Sequence, residues 1–443
     1  MRPKLPWALC GLTALSAGLM IATTASAVSA SVSGWPKTQL VSRANGSEGP
    51  PGNLPSSDPT ATANGRFIFF TSYATNFTPS RPARGLRLFR RDMRTDQTTL
   101  VPTIGYNPRN PAVSANGRSL AYVSTLNPRS HHARDEIYVH DLRTGTTRLA
   151  SRAGGLHGAP ANVPPPHELH PSVDRPSLSA NGRFLAFVSS SPNLYPGRSR
   201  DRIPPEIYLR DLKTGTTTLV SRANGPRGEV ANRGCGEPEI SADGRHVVFT
   251  CSSTNLGRTG PPGPVFSGNV YLRDLTAHKT IVVSRHSVRS RFYAPVISAN
   301  GQFVAFFREG PHLEQVLERD LSTAKTTLVS RASGAKGEAA NAFTSQSFLG
   351  ISGDGSLVAF FSDATNLGGP PLPGGSAGNF GLYLRDLRTN ETTFVHWEGF
   401  GKPRIVGRGR YLVFGTFNTD QPTPNGAYAI GDVYRYDWGP AGY

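Results

Sequence analysis

The peptide "SANGRFLAFVSS", residues 179–190, decides the fold because close copies of it recur along this chain of 443 residues. Each copy places Asn-Gly or Asp-Gly ahead of an apolar run, such as "FLAFV" at 184–188 or "HVVFT" at 246–250. Asn-Gly and Asp-Gly supply the positive φ angles of a tight hairpin turn. The segments on either side are therefore predicted to form two antiparallel strands, A and B, and the continuous apolar runs indicate burial on both faces.

Seven copies of this unit occur at intervals of 52 to 65 residues. A proline stands six residues before the glycine in six copies, and a serine stands three residues before it in five. The predicted turn residues are Asn64, Gly65, Asn116, Gly117, Asn181, Gly182, Asp243, Gly244, Asn300, Gly301, Asp354 and Gly355, and the seventh copy turns at Gly409.

A second repeated unit follows each first one, as in "IYLRDLKTGTTTLVSR" at 207–222 and "VYLRDLTAHKTIVVSR" at 270–285. It predicts another hairpin, with strands C and D, in which Asp211 or Asp274 bonds the backbone amides of the turn. Four strands repeated with a period of about 50–60 residues indicate a β-propeller blade.

The two ends of the chain complete each other. The last unit stops after strand C, while "TQLVSRANG" at 38–46 matches the strand D segment "TTLVSRANG" at 217–225. Pairing the two ends would remove both exposed sheet edges. The sequence thus predicts an all-β, seven-bladed propeller of four-stranded blades, whose ring is closed by strand 38–43 in the last blade.

The N-terminus is typical of a secretory signal. Arg2 and Lys4 precede an apolar run over 5–22, and Ala25-Ser26-Ala27 supplies a small-residue cleavage site. A membrane anchor is the alternative, but no later segment has the ~20 apolar residues of a spanning helix. We expect a signal peptide at 1–27, one propeller domain at 28–443, and a secreted or extracytoplasmic protein.

Two cysteines remain after the signal peptide. If strands A and B of the fourth blade turn about Asp243-Gly244, Cys235 and Cys251 face each other across the hairpin mouth. Export favours oxidation, so we predict a disulfide. The alternative is a pair of buried, reduced thiols.

The repeats resemble the PD40 repeats of TolB-like (WD40-like) propellers of the secreted bacterial multi-repeat type. "PSLSANG", "PEISADG" and "PVISANG" keep the Pro, Ser and Gly of that family's pattern, although Ala replaces its second Pro. The resemblance covers nearly all of the mature chain and implies the propeller fold. It implies little about function, because propellers serve many roles.

Successive strands of a blade run in opposite directions, so the B–C and D–A loops lie together on one face of the propeller. These loops are long and irregular. Variable loops on a rigid scaffold commonly carry binding. The candidate ligand-binding residues on this face are His131, His132, Arg134, His167, His170, Arg200, Arg202 and Arg233. A divalent metal could bind at His157, His167 and His170, although solvated loop histidines are the plainer interpretation, and we predict no cofactor.

The net charge of +17 could attract an acidic polymer, yet arginine outnumbers lysine 40 to 7, which a GC-rich genome would also produce. Three hypotheses follow. We favour a non-enzymatic binding or scaffold propeller that recognises an extracellular or envelope protein or an acidic polysaccharide. The second is a carbohydrate-active enzyme, a lyase or hydrolase, as some propellers with PD40-like repeats are metal-dependent lyases. Polyanion binding is the third, nucleic acid is not favoured, and we expect a monomer.

Overall fold

The computed structural model describes residues 38–78, 85–126, 134–162, 173–195, 204–257, 268–284, 290–310, 313–342, 348–370, 380–397, 399–417 and 430–439. Their strands form seven antiparallel sheets of four strands each, which confirms the predicted seven-bladed all-β propeller. The helical content of these ranges is a single 3-10 turn at Pro192–Leu194. None of their helices is long and apolar enough to cross a membrane.

The strands follow the predicted order in every blade. The A strands are Ser56–Ala61, Tyr106–Val113, Val173–Leu178, Cys235–Ile240, Arg291–Ile297, Gly350–Ile351 and Gly399–Val406. The B strands are Phe67–Ser72, Ser119–Leu126, Phe184–Ser189, His246–Cys251, Phe303–Glu309, Leu357–Ser362 and Tyr411–Phe417. The C strands are Arg87–Asp92, Arg134–Asp141, Glu206–Asp211, Asn269–Asp274, Glu314–Asp320, Gly381–Asp386 and Ile430–Asp437. The D strands are Gln97–Leu100, Thr147–Leu149, Thr217–Leu219, Lys279–Val282, Thr326–Leu328, Glu391–Trp397 and, for blade 7, Thr38–Leu40.

Blades pack face to face through the apolar runs. Leu185 and Phe187 of blade 3 are fully buried in one cluster with Ala121 and Val123 of blade 2. Strand A of each blade contacts strand A of the next, and blade 7 contacts blade 1. The seven A strands therefore surround a central channel.

The repeated turn is stabilised by its serine and its Asn or Asp. Ser179 Oγ donates to Asn181 Oδ1 (2.9 Å) and accepts from the Phe184 amide (3.0 Å), while Asn181 Oδ1 accepts from the Arg183 amide (2.9 Å). Gly182 has φ 70°, whereas Asn181 has no positive φ. The turn is therefore longer than a two-residue hairpin turn, with glycine alone in the left-handed conformation. The repeated polar residues have a structural role here.

The N-terminal strand closes the ring as predicted. Thr38 pairs with Tyr436 and Leu40 with Tyr434, antiparallel to strand C of blade 7. The fully buried Ser42 donates to Asp432 Oδ1 (2.7 Å) and accepts from the Val433 amide (3.0 Å). The first and last strands of the propeller thus share one sheet.

Cys235 and Cys251 form the predicted disulfide, and both are fully buried. The register of strands A and B in blade 4 shifts between Gly236 and Glu239. This bulge sets Cys235 directly opposite Cys251. Without the bulge, the two residues would be offset by one position.

A buried arginine of strand C ties each of four blades to the D–A connection that precedes it. Arg273 donates to the carbonyl oxygens of Ala223 (2.9 Å) and Gly225 (2.7 Å), and to Thr280 Oγ1 (2.9 Å). The same arrangement recurs in blades 1, 3, 4 and 6, at Arg91, Arg210, Arg273 and Arg385. We call this contact the arginine lock.

The same four blades carry a second repeated contact, between the end of the D–A connection and the B–C loop. In blade 4, Asn232 Nδ2 donates to Thr254 Oγ1 (2.8 Å), and Asn255 Nδ2 donates to the Val230 carbonyl (2.8 Å). Matching asparagine pairs occur at Asn53 and Asn76, Asn162 and Asn193, and Asn341 and Asn366. In these four blades, repeated polar contacts thus hold the D–A connections and B–C loops, which the sequence predicts to be irregular.

Blade 5 departs from the repeat at Glu318. Strand C of blades 3, 4 and 6 carries Leu209, Leu272 or Leu384 at this position, two residues before the turn aspartate. Glu318 is 6% exposed, and its Oε2 has no hydrogen-bond partner among the described residues. Burial, together with the charges of Asp320 and Asp354, raises the pKa of Glu318 to about 8.

We predict that Glu318→Leu stabilises the protein and that the gain depends on pH. Below about pH 4.5 the carboxyl is protonated in the folded and unfolded states and adds no pH-dependent cost, whereas above about pH 8 it is charged in both states and the full cost of burying the charge applies. We expect the gain in unfolding free energy to increase by about 3–5 kcal/mol between these limits. Chemical denaturation at about pH 5 and pH 8.5 measures it, with Glu309→Leu, an exposed glutamate of the same blade, as the control. An equal gain at both pH values would contradict the assignment.

Candidate functional site

In six of the seven blades, a bulge in strand A lies at the repeat position that lines the central channel. The A–B register shifts next to the repeated proline in blades 1 to 5 and in blade 7. The residue before that proline has positive φ in blades 1 to 5, between 48° and 57°. Positive φ is uncommon outside glycine, and proline disfavours helical conformations in the residue before it. Such strained bulges are found next to functional sites, where they re-aim a side chain.

We call this set of positions the bulge ring. Its members, from blade 1 to blade 7, are Asp58, Asn110, Arg175, Glu237, Ala294, Phe348 and Lys402. All seven line one cavity of about 230 Å³ in the channel. Strand A starts at the face of the B–C and D–A loops. In every blade but the sixth, the ring position lies two to four residues into the strand, as at Asp58 in Ser56–Ala61 and Asn110 in Tyr106–Val113. The cavity therefore lies in the channel, two to four residues in from this face.

One side of the cavity is acidic. Asn110 lies between two carboxylates, because its backbone amide bonds Asp58 and its Nδ2 donates to Asp174 Oδ1 (2.7 Å). Burial raises the pKa of Asp58, and the charge of Asp174 adds to the effect. The nearby Arg109 pairs instead with Asp135 (2.6 Å). Among the described residues, no cation forms an ion pair with Asp58 or Asp174.

A second side holds two ion pairs between blades. Arg175 lies 3.0 Å from Glu237 Oε1, and Glu237 Oε2 accepts from the Ala294 amide (2.7 Å). Lys402 of blade 7 contacts Glu239 of blade 4, so this pair spans the channel. Burial lowers the pKa of Lys402 to about 8, although the attraction of Glu239 opposes the shift.

Arg404 lies beside the Lys402–Glu239 pair and lines the same cavity. Its Nε is buried without a hydrogen-bond partner, and its guanidinium makes no hydrogen bond to any residue in the described ranges. Phe348 and Phe400 form an apolar wall, with ring centroids 6.1 Å apart in an edge-to-face arrangement. The cavity thus combines unpaired charges of both signs with an aromatic surface.

The predicted ligand-binding residues are only partly described. His131, His132, His167, His170, Arg200 and Arg202 lie outside the described residues. Arg134 begins strand C of blade 2 with its Nε 3.1 Å from Glu136 Oε1, and Arg233 is exposed two residues before Cys235. Neither residue lines the channel cavity. Their role in binding stays a prediction.

His157, predicted as a metal ligand, is exposed in the D–A connection between blades 2 and 3. Two residues earlier, the Gly155 amide donates to the carbonyl of Gly215, which belongs to the C–D turn of blade 3 (2.8 Å). Near Gly155 this connection therefore lies by the face of the A–B and C–D turns, opposite to the face on which the D–A loops were predicted. In the described ranges no three His, Cys, Asp or Glu side chains group as metal ligands, and His167 and His170 are not among those residues.

The bulge ring is not apparent from the sequence because its members share a position in the repeat but no residue type. A usable signal was present in the sequence, since the proline six residues before the turn glycine marks the position just ahead of it. The side chains at that position differ in every repeat, whereas the neighbouring Pro, Ser and Gly recur.

No family model and no curated protein matches this chain. Among solved structures, an oligogalacturonate lyase in complex with manganese is similar at 13% identity, covering 91% of each chain with a TM-score of 0.54. An oligogalacturonate lyase from Vibrio parahaemolyticus is similar at 12% identity, covering 88% of this chain and 91% of that one, with a TM-score of 0.54. TolB from Acinetobacter baumannii is similar at 17% identity, covering 75% and 77%, with a TM-score of 0.40. At these identities the likeness is one of fold.

Proposed function

We propose that this chain is an exported, non-enzymatic binding propeller that takes its protein or polymeric ligand at the channel mouth, on the face of the B–C and D–A loops. The observation that carries this proposal is the bulge ring. One position of the repeat holds seven different side chains, and all seven line one cavity. A concave pocket with a few convergent polar groups is the usual form of a binding site.

The repeated polar residues support the same conclusion by contrast. The Ser–Asn turn, the arginine lock and the asparagine pairs hold strands and connections together. The bulge ring has no such shared residue, since its side chain differs from blade to blade.

Export is part of the proposal. The signal-like N-terminus predicts it, and the disulfide between Cys235 and Cys251 suits an oxidising compartment.

The test is a binding screen with oligogalacturonate and short peptides as probes, on wild type and on Ala294→Phe. Ala294 is small, and phenylalanine occupies the equivalent position in blade 6 as Phe348. Ala294 has a positive φ of 48° whereas Phe348 does not, so thermal melting first checks that the variant is folded. We expect the added ring to fill part of the cavity and to weaken binding at least about tenfold. Ala277→Phe, at an exposed position in the C–D turn of blade 4, is the matched control. Equal binding by both variants would refute the channel site.

A carbohydrate-active enzyme is the second candidate, and the pair Asp58 and Asp174 favours it. A carboxyl of raised pKa beside a second carboxylate is a common acid–base arrangement in glycoside cleavage. Incubation with oligogalacturonate and Mn²⁺, followed by chromatography of the products, tests this reading. Turnover that is lost in Asp58→Asn would establish the enzyme and overturn the non-enzymatic proposal.

A further inference from the structure

The cavity in the channel contains more charged groups than its ion pairs use. Four carboxylates and three cations line it, and the pairs Arg175–Glu237 and Lys402–Glu239 join two of each. Asp58, Asp174 and Arg404 remain outside ion pairs within the described residues. These three groups are partly buried and have no ionic partner within 4 Å in the described part of the chain, and partly desolvated charges of this kind bind favourably to a ligand of opposite charge.

These remaining charges have opposite signs and lie on different blades of the ring. Arg404 belongs to blade 7, while Asp58 and Asp174 belong to blades 1 and 3, with Asn110 of blade 2 between them. A polyanion would be attracted by Arg404 and repelled by the two carboxylates, whereas a polycation would be attracted by the carboxylates and repelled by Arg404. A ligand that carries both charges can pair with both kinds of group.

Size and apolar surface narrow the ligand class. A cavity of about 230 Å³ is smaller than the ~300–1,000 Å³ pockets of drug-sized ligands, so it fits a molecule of amino-acid size. Phe348 and Phe400 provide an apolar wall for a hydrophobic side chain. A guanidinium is well suited to carboxylate, and a carboxylate pair is well suited to an ammonium group.

We propose that the channel mouth binds a small zwitterion, an α-amino acid or a short peptide, with its carboxylate at Arg404 and its ammonium group at Asp58 and Asp174. This inference rests on the proposed binding function and selects an amino acid or peptide as the ligand over a polysaccharide. The Lys402–Glu239 pair crosses the channel beside Arg404 and limits how deeply the ligand enters.

Isothermal titration of the mature protein with three probes tests the proposal. L-phenylalanine carries both charges, N-acetyl-L-phenylalanine only the negative one, and L-phenylalaninamide only the positive one. We expect L-phenylalanine to bind about tenfold more tightly than either analogue, as the loss of one charge-assisted hydrogen bond implies. Equal or tighter binding of a singly charged analogue, or no binding of any probe, would overturn the proposal without any variant.

Two variants assign the charges. Arg404→Gln should reduce the affinity for L-phenylalanine about tenfold and leave the affinity for L-phenylalaninamide unchanged. Asp58→Asn should also reduce the affinity for L-phenylalanine about tenfold, but leave the affinity for N-acetyl-L-phenylalanine unchanged. Arg143→Gln, at an exposed position in the C–D turn of blade 2, is the charge-matched control. Thermal melting checks that each variant is folded. A folded Arg404→Gln that binds L-phenylalanine as tightly as wild type would contradict the assignment.

Further experiments distinguish a peptide ligand from a free amino acid, and the zwitterion proposal from the channel-binding proposal. Tighter binding of glycyl-phenylalanine than of phenylalanine identifies a peptide, and the reverse identifies a free amino acid. If oligogalacturonate binds wild type but not Ala294→Phe, while phenylalanine does not bind, the zwitterion proposal fails and the channel-binding function stands. If L-phenylalanine binds with the predicted charge preference but Ala294→Phe binds it equally well, the channel location fails for both proposals.

Discussion

A chain that starts at Arg43 should lose the cooperative fold of the propeller. The truncation removes the D strand of blade 7 together with Val41 and Ser42, which follow it and are fully buried. It leaves strand C of that blade as an open edge and removes the Ser42 hydroxyl that donates to the half-buried Asp432. Because exposed sheet edges template aggregation and a broken ring loses packing at its first and last blades, we expect insoluble or partly unfolded protein. Size-exclusion chromatography and near-ultraviolet circular dichroism measure the outcome.

A circular permutant provides the control for this truncation. In it, residues 34–42 follow residue 443 through a short glycine linker, and the chain again starts at Arg43. All four strands of blade 7 then come from consecutive chain, so folding should be restored. A truncated chain that unfolds cooperatively at the wild-type midpoint would contradict the closure.

Arg273→Leu should cost about 3–5 kcal/mol of unfolding free energy, because three acceptors lose their donor and each unsatisfied acceptor costs about 1–3 kcal/mol. Arg273 is 2% exposed, and its removal leaves the carbonyls of Ala223 and Gly225 and the hydroxyl of Thr280 without this donor. The connection over 222–230 should therefore open locally. Chemical denaturation measures the loss, and hydrogen exchange locates it at that connection.

Arg319→Leu is the matched control, because Arg319 holds the same repeat position in blade 5. Its guanidinium is half-buried and bonds Thr326 Oγ1 (3.0 Å), with no bond to a D–A connection among the described residues. We expect a loss of about 1 kcal/mol or less. Similar losses in the two variants would show that the arginine lock is not the stabilising contact.

The repeat made the blade count and the ring closure predictable. Turn glycines such as Gly182 recur at a nearly constant period, and residues 38–46 copy residues 217–225. A repeat of nearly constant length and two chain ends that complete one blade together predict a closed propeller, since each blade must bury both faces against its neighbours. The disulfide was predictable too, although its exact register depends on a bulge at Glu237 that hydrophobic pattern does not reveal.

The channel cavity was not predictable in the same way. Residues such as Asp58, Phe348 and Lys402 are far apart in sequence and share no chemistry, so only the closed ring brings them together. The loop histidines were candidates because histidine is a common metal ligand. Residue type is a weaker guide than position in a repeat protein, where variation at one fixed position can mark the site.

The central claim is that ligands bind inside the bulge ring. A crystal structure of residues 28–443, grown with saturating L-phenylalanine or the tightest probe from the binding screen, tests it most directly. The account predicts ligand density in the channel mouth, in contact with Arg404 and with Phe348 or Phe400. Density on the outer rim or at the A–B turns, with an unoccupied channel, would contradict it.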